Sequence, residues 1–173
     1  MINSLDYIIL GLLNRTHMSG YRLRMLIGNT ALRIYSNSPG SIYPALRRLT
    51  VKRLVVKRSE KGKDNYSITA RGVKVLKDWF GQTVTKDHVE KELDLLQLKF
   101  TLMEGLVSRK TIRHFLESYH THVTDCLRSL REQRVRLRVS LPLHARLSLG
   151  LGISTYQLHA RWCKKILSNL NMT

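Results

Sequence analysis

The first half of the chain alternates short apolar-periodic stretches with polar breaks, in the order helix, helix, helix, hairpin, helix. Leu5, Ile8, Ile9, Leu12 and Leu13 recur at helical spacing behind Asn3 and Ser4, either of which can cap, and predict a first helix over residues 4–14. After Arg15-Thr16-His17, Ser19 is placed to cap a second helix with Leu23, Leu26, Ile27 and Ala31 on one side, and Asn29 and Thr30 weaken its end. A third helix follows Asn37-Ser38-Pro39-Gly40, with Ser38 as cap and Pro39 in the first helical position. Over residues 41–53 it sets Ile42, Ala45, Leu46 and Leu49 on one face and Tyr43, Pro44, Arg47, Arg48 and Val51 on the other. Pro44 removes an internal hydrogen bond unless the regular helix begins close to Ser41, so an irregular first turn is expected.

Leu54-Val55-Val56-Lys57-Arg58 and Asn65-Tyr66-Ser67-Ile68 predict two strands around a polar turn, Ser59 to Asp64, whose tip is Glu60-Lys61-Gly62-Lys63. Thr69 then caps a fourth helix carrying Val73, Leu76 and Phe80 and ending near Gly81. Residues 81–86 lose the apolar period and read as a linker, which divides the chain into domains 1–82 and 87–173.

The second domain reads as wholly helical. Val89, Leu93, Leu96, Phe100 and Met103 form one stripe, but Leu95, Leu98 and Leu102 lie off it, a pattern suited to burial between subunits. Ile112, Leu116, Tyr119, Val123, Cys126 and Leu130 are spaced 4, 3, 4, 3, 4, and Tyr156, Ala160, Cys163, Leu167 and Leu170 are spaced 4, 3, 4, 3. These are coiled-coil seams, and they predict two long helices paired through a turn near Ser140 to Pro142, with Gly150 and Gly152 bending the last. Stripe and seams supply the candidate dimerisation residues Leu93, Leu96, Phe100, Leu116, Tyr119, Val123, Tyr156, Cys163 and Leu167. The expected fold class is mainly α with a small β-hairpin wing: an N-terminal winged helix-turn-helix and a C-terminal helical, antiparallel coiled-coil-like dimerisation domain.

Composition narrows the partners. With 43% apolar residues the 173-residue chain is an ordinary globular protein, and 30 Lys and Arg against 12 Asp and Glu give it a formal charge of +18. Such a field attracts nucleic acid, anionic lipid or an acidic protein. Residues 1–86 hold 16 of the cations against 4 acids, and residues 87–173 hold 14 against 8, so the polyanion-facing surface is expected in the first half. The run Tyr7 to Leu13 is far shorter than the roughly 20 residues needed to span a bilayer, and it lacks signal-peptide flanks, so no membrane partner is expected. Cys126 and Cys163 stand 37 positions apart on seam positions with no disulfide framework, which fits a reducing cytosol.

A DNA-reading helix presents donors and cations outward while its other face anchors to the domain. Residues 41–53 meet that requirement: Arg47 and Arg48 suit a guanine edge or a phosphate, and Ser41 and Tyr43 offer hydroxyls near the helix start. Lys57, Arg58, Lys61 and Lys63 gather on the hairpin, where a basic tip follows the backbone or enters the minor groove. His114, His120 and His122 lie on one helix without metal-ligand spacing, and His144 and His159 fare no better, so no metal is expected. Arg128, Arg131, Arg134, Arg136 and Arg138 read as a solvated helix face, and Trp162 as dimer packing. No Gly-rich phosphate loop, Ser-His-Asp arrangement or acidic pair suggests an enzyme; no cofactor is expected, and room is left for a small-molecule effector.

Ser38-Pro39-Gly40-Ser41-Ile42-Tyr43-Pro44-Ala45-Leu46-Arg47-Arg48-Leu49 resembles the signature of the PadR family of bacterial transcriptional regulators. Ile9-Leu10-Gly11-Leu12-Leu13, Ser19-Gly20-Tyr21-Arg22-Leu23 and Tyr66-Ser67-Ile68-Thr69-Ala70-Arg71-Gly72 are similar to its flanking segments. Trp79-Phe80 and the stretch Glu92 to Phe100 resemble the linker and dimerisation domain of its longer members, the group that includes virulence activators. The resemblance is strong up to residue 80 and loose beyond. It implies a homodimer on double-stranded DNA, with recognition helices in successive major grooves and wings beside them. It also implies that Tyr21, Arg22, Ser38, Ser41, Tyr43 and Pro44 belong to the DNA-facing set, mostly at the phosphate backbone, with Arg47 or Arg48 nearer the bases. The chain departs from the family in having Ser19 in place of a usual His, Arg53 in place of a usual Gly before the first wing strand, and a wing less basic than the common arginine run. The functional expectation is a cytoplasmic, nucleoid-associated regulator that represses from a pseudo-palindromic operator; the alternatives are an activator of the same fold and a non-specific architectural protein.

Overall fold

The computed structural model describes residues 2–35, 39–60 and 63–171, the side chains of 39, 60, 63 and 171 excepted. The fold is mostly helical with one small antiparallel sheet, a winged helix followed by a helical C-terminal region. The chain forms two compact units, Met1–Trp79 and Phe80–Thr173.

In the first unit, α1 (Ser4–Arg15) starts from a capping box in which the Asn3 side chain accepts from the Asp6 amide and Asp6 accepts from the Asn3 amide. Its broad apolar side, Leu5, Ile8, Ile9, Leu10 and Leu13, is buried. The two-residue strand β1 (Met18–Ser19) follows, and Ser19 then caps α2 (Gly20–Gly28) by accepting from the Arg22 amide. The second helix stops at Gly28, so Ala31 belongs to the separate 3₁₀ turn Ala31–Tyr35 and not to the helix expected from the apolar spacing. A second 3₁₀ turn, Pro39–Ser41, leads into α3 (Ile42–Val51). Pro44 therefore falls in the first helical turn, where an amide has no intrahelical partner to lose, and the conflict it poses in the sequence disappears. Ile42, Ala45, Leu46 and Leu49 are all buried, as their spacing predicts.

The end of α3 is a Schellman motif. Lys52 is the C-cap, Arg53 adopts φ 58°, the Arg53 amide donates to the Thr50 carbonyl at 2.9 Å, and the Leu54 amide reaches back to Leu49 at 3.0 Å. This is the left-handed position that glycine occupies without strain and that costs an L-residue about 1–2 kcal/mol. Arg53→Gly is accordingly expected to raise stability by about 0.5–1 kcal/mol, after allowing for the entropy glycine loses on folding. Chemical denaturation checks it, and an unchanged or lowered midpoint would mean that the arginine side chain stabilises the corner by some other contact.

β2 (Val55–Glu60) and β3 (Lys63–Ile68) form a longer hairpin than the sequence suggests. Ser59 faces Asp64 and Glu60 faces Lys63 within the ladder, so these four residues extend the strands and are not turn residues. Met18 and Ser19 pair with Tyr66 and Asn65 on the other edge, giving the order β1-β3-β2. Thr69 caps α4 (Ala70–Gly81), accepting from the Gly72 amide at 3.0 Å while its own amide donates to the Leu54 carbonyl at 3.0 Å. Tyr7 of α1 stacks on Trp79 of α4 at 4.4 Å between ring centroids.

In the second unit the single helix expected after the linker is two: α5 (Lys86–Lys91) and α6 (Leu93–Leu102), broken at Glu92, whose φ of −136° is not helical. The break allows both pieces to bury apolar surface, Val89 as α5 packs on α7 and Phe100 of α6 against Phe115 of α7. The long helices α7 (Arg109–Arg136) and α8 (Leu143–Asn171) pair along most of their length as the seams predict, and α8 runs through both Gly150 and Gly152 without interruption. At Gly152 a Cβ would stand 3.3 Å from Leu130, so the small residue lets the two helices approach.

Lys99 of α6 is buried, with 4% of its surface exposed, and its ammonium donates to the Gln82 carbonyl at 3.2 Å. Burial pushes its pKa down from 10.5 to about 8. Between those values the unfolded chain holds a proton that the folded chain has released, so this group's penalty is fully present below pH 8 and fades as pH rises toward 10.5. Lys99→Met is expected to stabilise the protein by about 2 kcal/mol at pH 7, with the advantage over wild type shrinking through that window. Paired melts at several pH values measure it, and a pH-independent difference would show that the charge is not its source.

Candidate nucleic-acid interface

Three elements of the first unit converge on one open cleft of about 490 Å³, lined by Ser19, Gly20 and Tyr21 at the start of α2, Tyr43 at the start of α3, and Asp64, Asn65 and Tyr66 of the wing. Local folding explains the convergence. The Ser19 cap fixes where α2 begins, the β1–β3 pairing brings the wing alongside, and Gly20 lets the Tyr43 ring approach its backbone. A Cβ at position 20 would stand 2.7 Å from Tyr43 Cε1, closer than a side chain tolerates without movement.

Tyr21 and Tyr43 are 61% and 50% exposed, with the Arg24 guanidinium 5.8 Å from the centre of the Tyr21 ring. Such exposure for two tyrosines beside exposed cations suits phosphate contacts better than packing. Pro44 and Arg47 are exposed on the outer face of α3, Ser41 is half-buried at its N-cap, and Arg22 and Arg58 are exposed on α2 and β2. Among the described residues Arg22, Arg47 and Arg58 enter no ion pair. Ser38 and Lys61 lie outside the described residues, as does the side chain of Lys63.

Two expected DNA-facing cations are engaged within the chain. Arg48 clamps Asp6 with two hydrogen bonds, Nε to Oδ2 at 3.1 Å and a terminal nitrogen to Oδ1 at 2.6 Å, and the Asp6 side chain is completely buried. The hydrogen bond to Asp6 holds the Arg48 pKa above its ordinary value. Arg48 is thus a strut between α1 and α3, and only Arg47 of the pair faces outward. Sequence reasoning missed Asp6; its signal is an acid at the third position of an otherwise apolar helix, where a capping role accounts for only part of its capacity as an acceptor. Lys57 pairs with Asp64 across the hairpin at 2.7 Å; that hydrogen bond raises the lysine pKa and lowers the aspartate's. The pair is half-exposed and weak, so Lys57 is less available to phosphate than its place on the wing suggests.

The candidate dimerisation residues divide by burial. Leu96, Leu116, Tyr119, Val123 and Cys163 are buried within the single chain, where α7 and α8 pair and Phe100 of α6 meets Phe115 and Trp162. Leu93, Phe100, Tyr156 and Leu167 keep partial exposure. Trp162 meets Phe100 edge-on at 4.9 Å, an intrachain contact where subunit packing was expected. Tyr119 shares a 2.6 Å hydrogen bond with His159, and burial lowers the histidine's pKa. Both cysteines are free and buried, and desolvation pushes the Cys163 thiol up to about 12, far from the reactive thiolate range. Among the described residues no group of His, Cys, Asp and Glu could hold a metal ion, and no helix is long and apolar enough to cross a membrane.

A three-helix core, a helix exposing Tyr43 and Arg47, and a wing beside it define a winged helix-turn-helix. Residues 9–78 match the transcriptional regulator PadR-like family, and residues 95–171 match the virulence activator alpha C-terminal family. The chain thus carries a PadR-like domain followed by a virulence-activator C-terminal domain, and the PadR-like family consists of transcriptional regulators that bind DNA and are not enzymes. No curated protein matches it. Among solved structures it is similar to a PadR-like transcriptional regulator from Bacillus cereus, at 24% identity and TM-score 0.44, covering 96% of this chain and 98% of that one. It is also similar to Bacillus subtilis PadR in complex with operator DNA, at 22% identity and TM-score 0.44 over 97% and 99% of the two chains. The match to the same protein in complex with p-coumaric acid has 23% identity and TM-score 0.43, over 98% and 97%.

Proposed function

We propose that the protein is a sequence-specific regulator that binds a pseudo-palindromic operator as a homodimer and represses transcription from it. The observation that carries this reading is the outer face of α3, where Arg47 stands exposed beside Tyr43 while the opposite face is fully buried. In this reading Arg47 reads a base edge, and Tyr21, Ser41, Tyr43 and Pro44 lie along the phosphate backbone. Arg22, Arg58, Lys61 and Lys63 add charge, the Ser38 hydroxyl joins the phosphate-backbone set, and Lys57 contributes when it leaves Asp64. A regulator of chromosomal DNA works in the cytoplasm, at the nucleoid.

The homodimer is supported by a stripe on α8 that the described residues leave exposed: Leu147, Leu151 and Leu158 are 63%, 71% and 61% exposed. Large aliphatic side chains at one helical spacing mark a contact surface. Activation is the second reading, favoured by the description of the family matched by residues 95–171; the position of the operator relative to the promoter decides between the two.

Sedimentation equilibrium of wild type and Leu151→Glu tests the assembly, with duplex binding measured alongside. A wild-type dimer that the substitution converts to a monomer with weakened DNA binding supports the reading. A monomeric wild type, or a variant that stays dimeric and binds as before, contradicts it.

A further inference from the structure

Arginines crowd the corner where α7 turns into α8. Between residues 127 and 147 there are six, with Glu132 the only acid. Arg128 is paired with Asp125, but Arg131, Arg134, Arg136, Arg138 and Arg146 enter no ion pair among the described residues. Part of the crowding has an ordinary cause, since Arg134 and Arg136 sit in the last turn of α7, where cations complement the helix dipole. That cause does not extend to Arg138, beyond the end of the helix, or to Arg146 in the first turn of α8, where the dipole favours an acid and none is present.

Arg134, Arg138 and Arg146 line a cavity of about 290 Å³ whose remaining walls are Val135 and Leu141. The backbone around it is ordered by hydrogen bonds from the Arg138 amide to Val135, from Leu141 to Leu137 and from Arg146 to Pro142, at 3.3, 3.1 and 3.0 Å. We infer that this corner is a binding site for a phosphorylated small molecule carrying a short apolar portion. Guanidinium groups grip phosphate oxygens in pairs, and three of them suit the two negative charges of a phosphate monoester. Val135 and Leu141 would receive the apolar part, and the volume lies near the lower end of small-molecule pockets, about 300 Å³. A DNA backbone would satisfy the charge but would leave the aliphatic walls without a role. The site lies wholly within the second unit, and the inference does not depend on the reading of α3.

Calorimetric titration of the full chain with hexyl phosphate and with inorganic phosphate, at about 0.15 M salt, tests it. Arg134→Gln and Arg146→Gln are the site variants, and Arg161→Gln, exposed elsewhere on α8, is the control. One saturable site per chain is expected for hexyl phosphate, about tenfold tighter than for inorganic phosphate, with a further loss of about tenfold in each site variant and none in the control. Circular dichroism of each variant shows whether its helices are retained, which these exposed positions should allow. Absence of saturable binding, equal affinity in all variants, or equal affinity for both phosphates would overturn the inference. So would a result in which the site variants lose only duplex affinity, or bind only phosphatidylglycerol vesicles, with no hexyl phosphate bound by wild type.

Discussion

Arg48→Ala is expected to destabilise the protein by about 3–5 kcal/mol, and Arg47→Ala to leave stability within about 0.5 kcal/mol of wild type while weakening binding to the preferred DNA sequence. The two arginines are adjacent in sequence and alike in chemistry, and what separates them is what each side chain meets. Removing Arg48 strands the Asp6 carboxylate, fully buried beneath α1 and α3, without the two donors that neutralise it. A buried charge left unpaired is among the costliest single changes a fold can suffer. Arg47 touches nothing that the fold requires, so its loss falls on the ligand, at about 1–3 kcal/mol if it makes a bidentate contact to a guanine. Thermal melts and binding isotherms of both variants decide the matter. Should Arg48→Ala melt like wild type and lose base preference, the assignment of the two roles would be reversed.

Gly72→Ala is expected to be as damaging to the fold as any substitution in the first unit. The added methyl would stand 2.2 Å from the Leu54 carbonyl oxygen and 2.7 Å from Ile68 Cγ1. Neither neighbour can yield cheaply, because the same Leu54 carbonyl accepts from the Thr69 amide, and that bond ties the start of α4 to the start of the wing. Relief requires α4 to move away from the sheet, at a cost of at least about 3 kcal/mol. Soluble expression and a denaturation curve measure it, and a variant as stable as wild type would mean that α4 has freedom to slide that its capping does not suggest.

Much of this was legible in the sequence because local rules governed it. The Ser19 and Thr69 caps, the buried face Ile42, Ala45, Leu46 and Leu49, and the two seams of α7 and α8 all follow from spacing and side-chain chemistry within a few turns. What escaped depends on residues far apart in the chain. The Asp6–Arg48 pair spans 42 positions, and nothing local to Arg48 distinguishes it from Arg47. The strand β1 has only two residues, too few for a period, and exists because β3 offers it an edge. The hairpin runs longer than its apolar residues indicate because Ser59, Glu60, Lys63 and Asp64, all polar, continue the backbone ladder, and the Ser59 hydroxyl donates to Asp64 across it. Seam spacing says that a helix has an apolar partner without saying which one, so residues such as Leu116 and Val123, packed inside one chain, read equally well as subunit contacts.

The central claim, that the exposed face of α3 reads a symmetric operator, is tested most directly by selecting bound duplexes from a random pool with the purified protein at low and near-physiological salt. The account predicts enrichment, surviving the higher salt, of a two-fold symmetric motif whose half-sites lie about one helical turn apart. Binding that fades with salt and enriches no sequence would contradict it, because attraction to phosphates would then be all that the basic face provides.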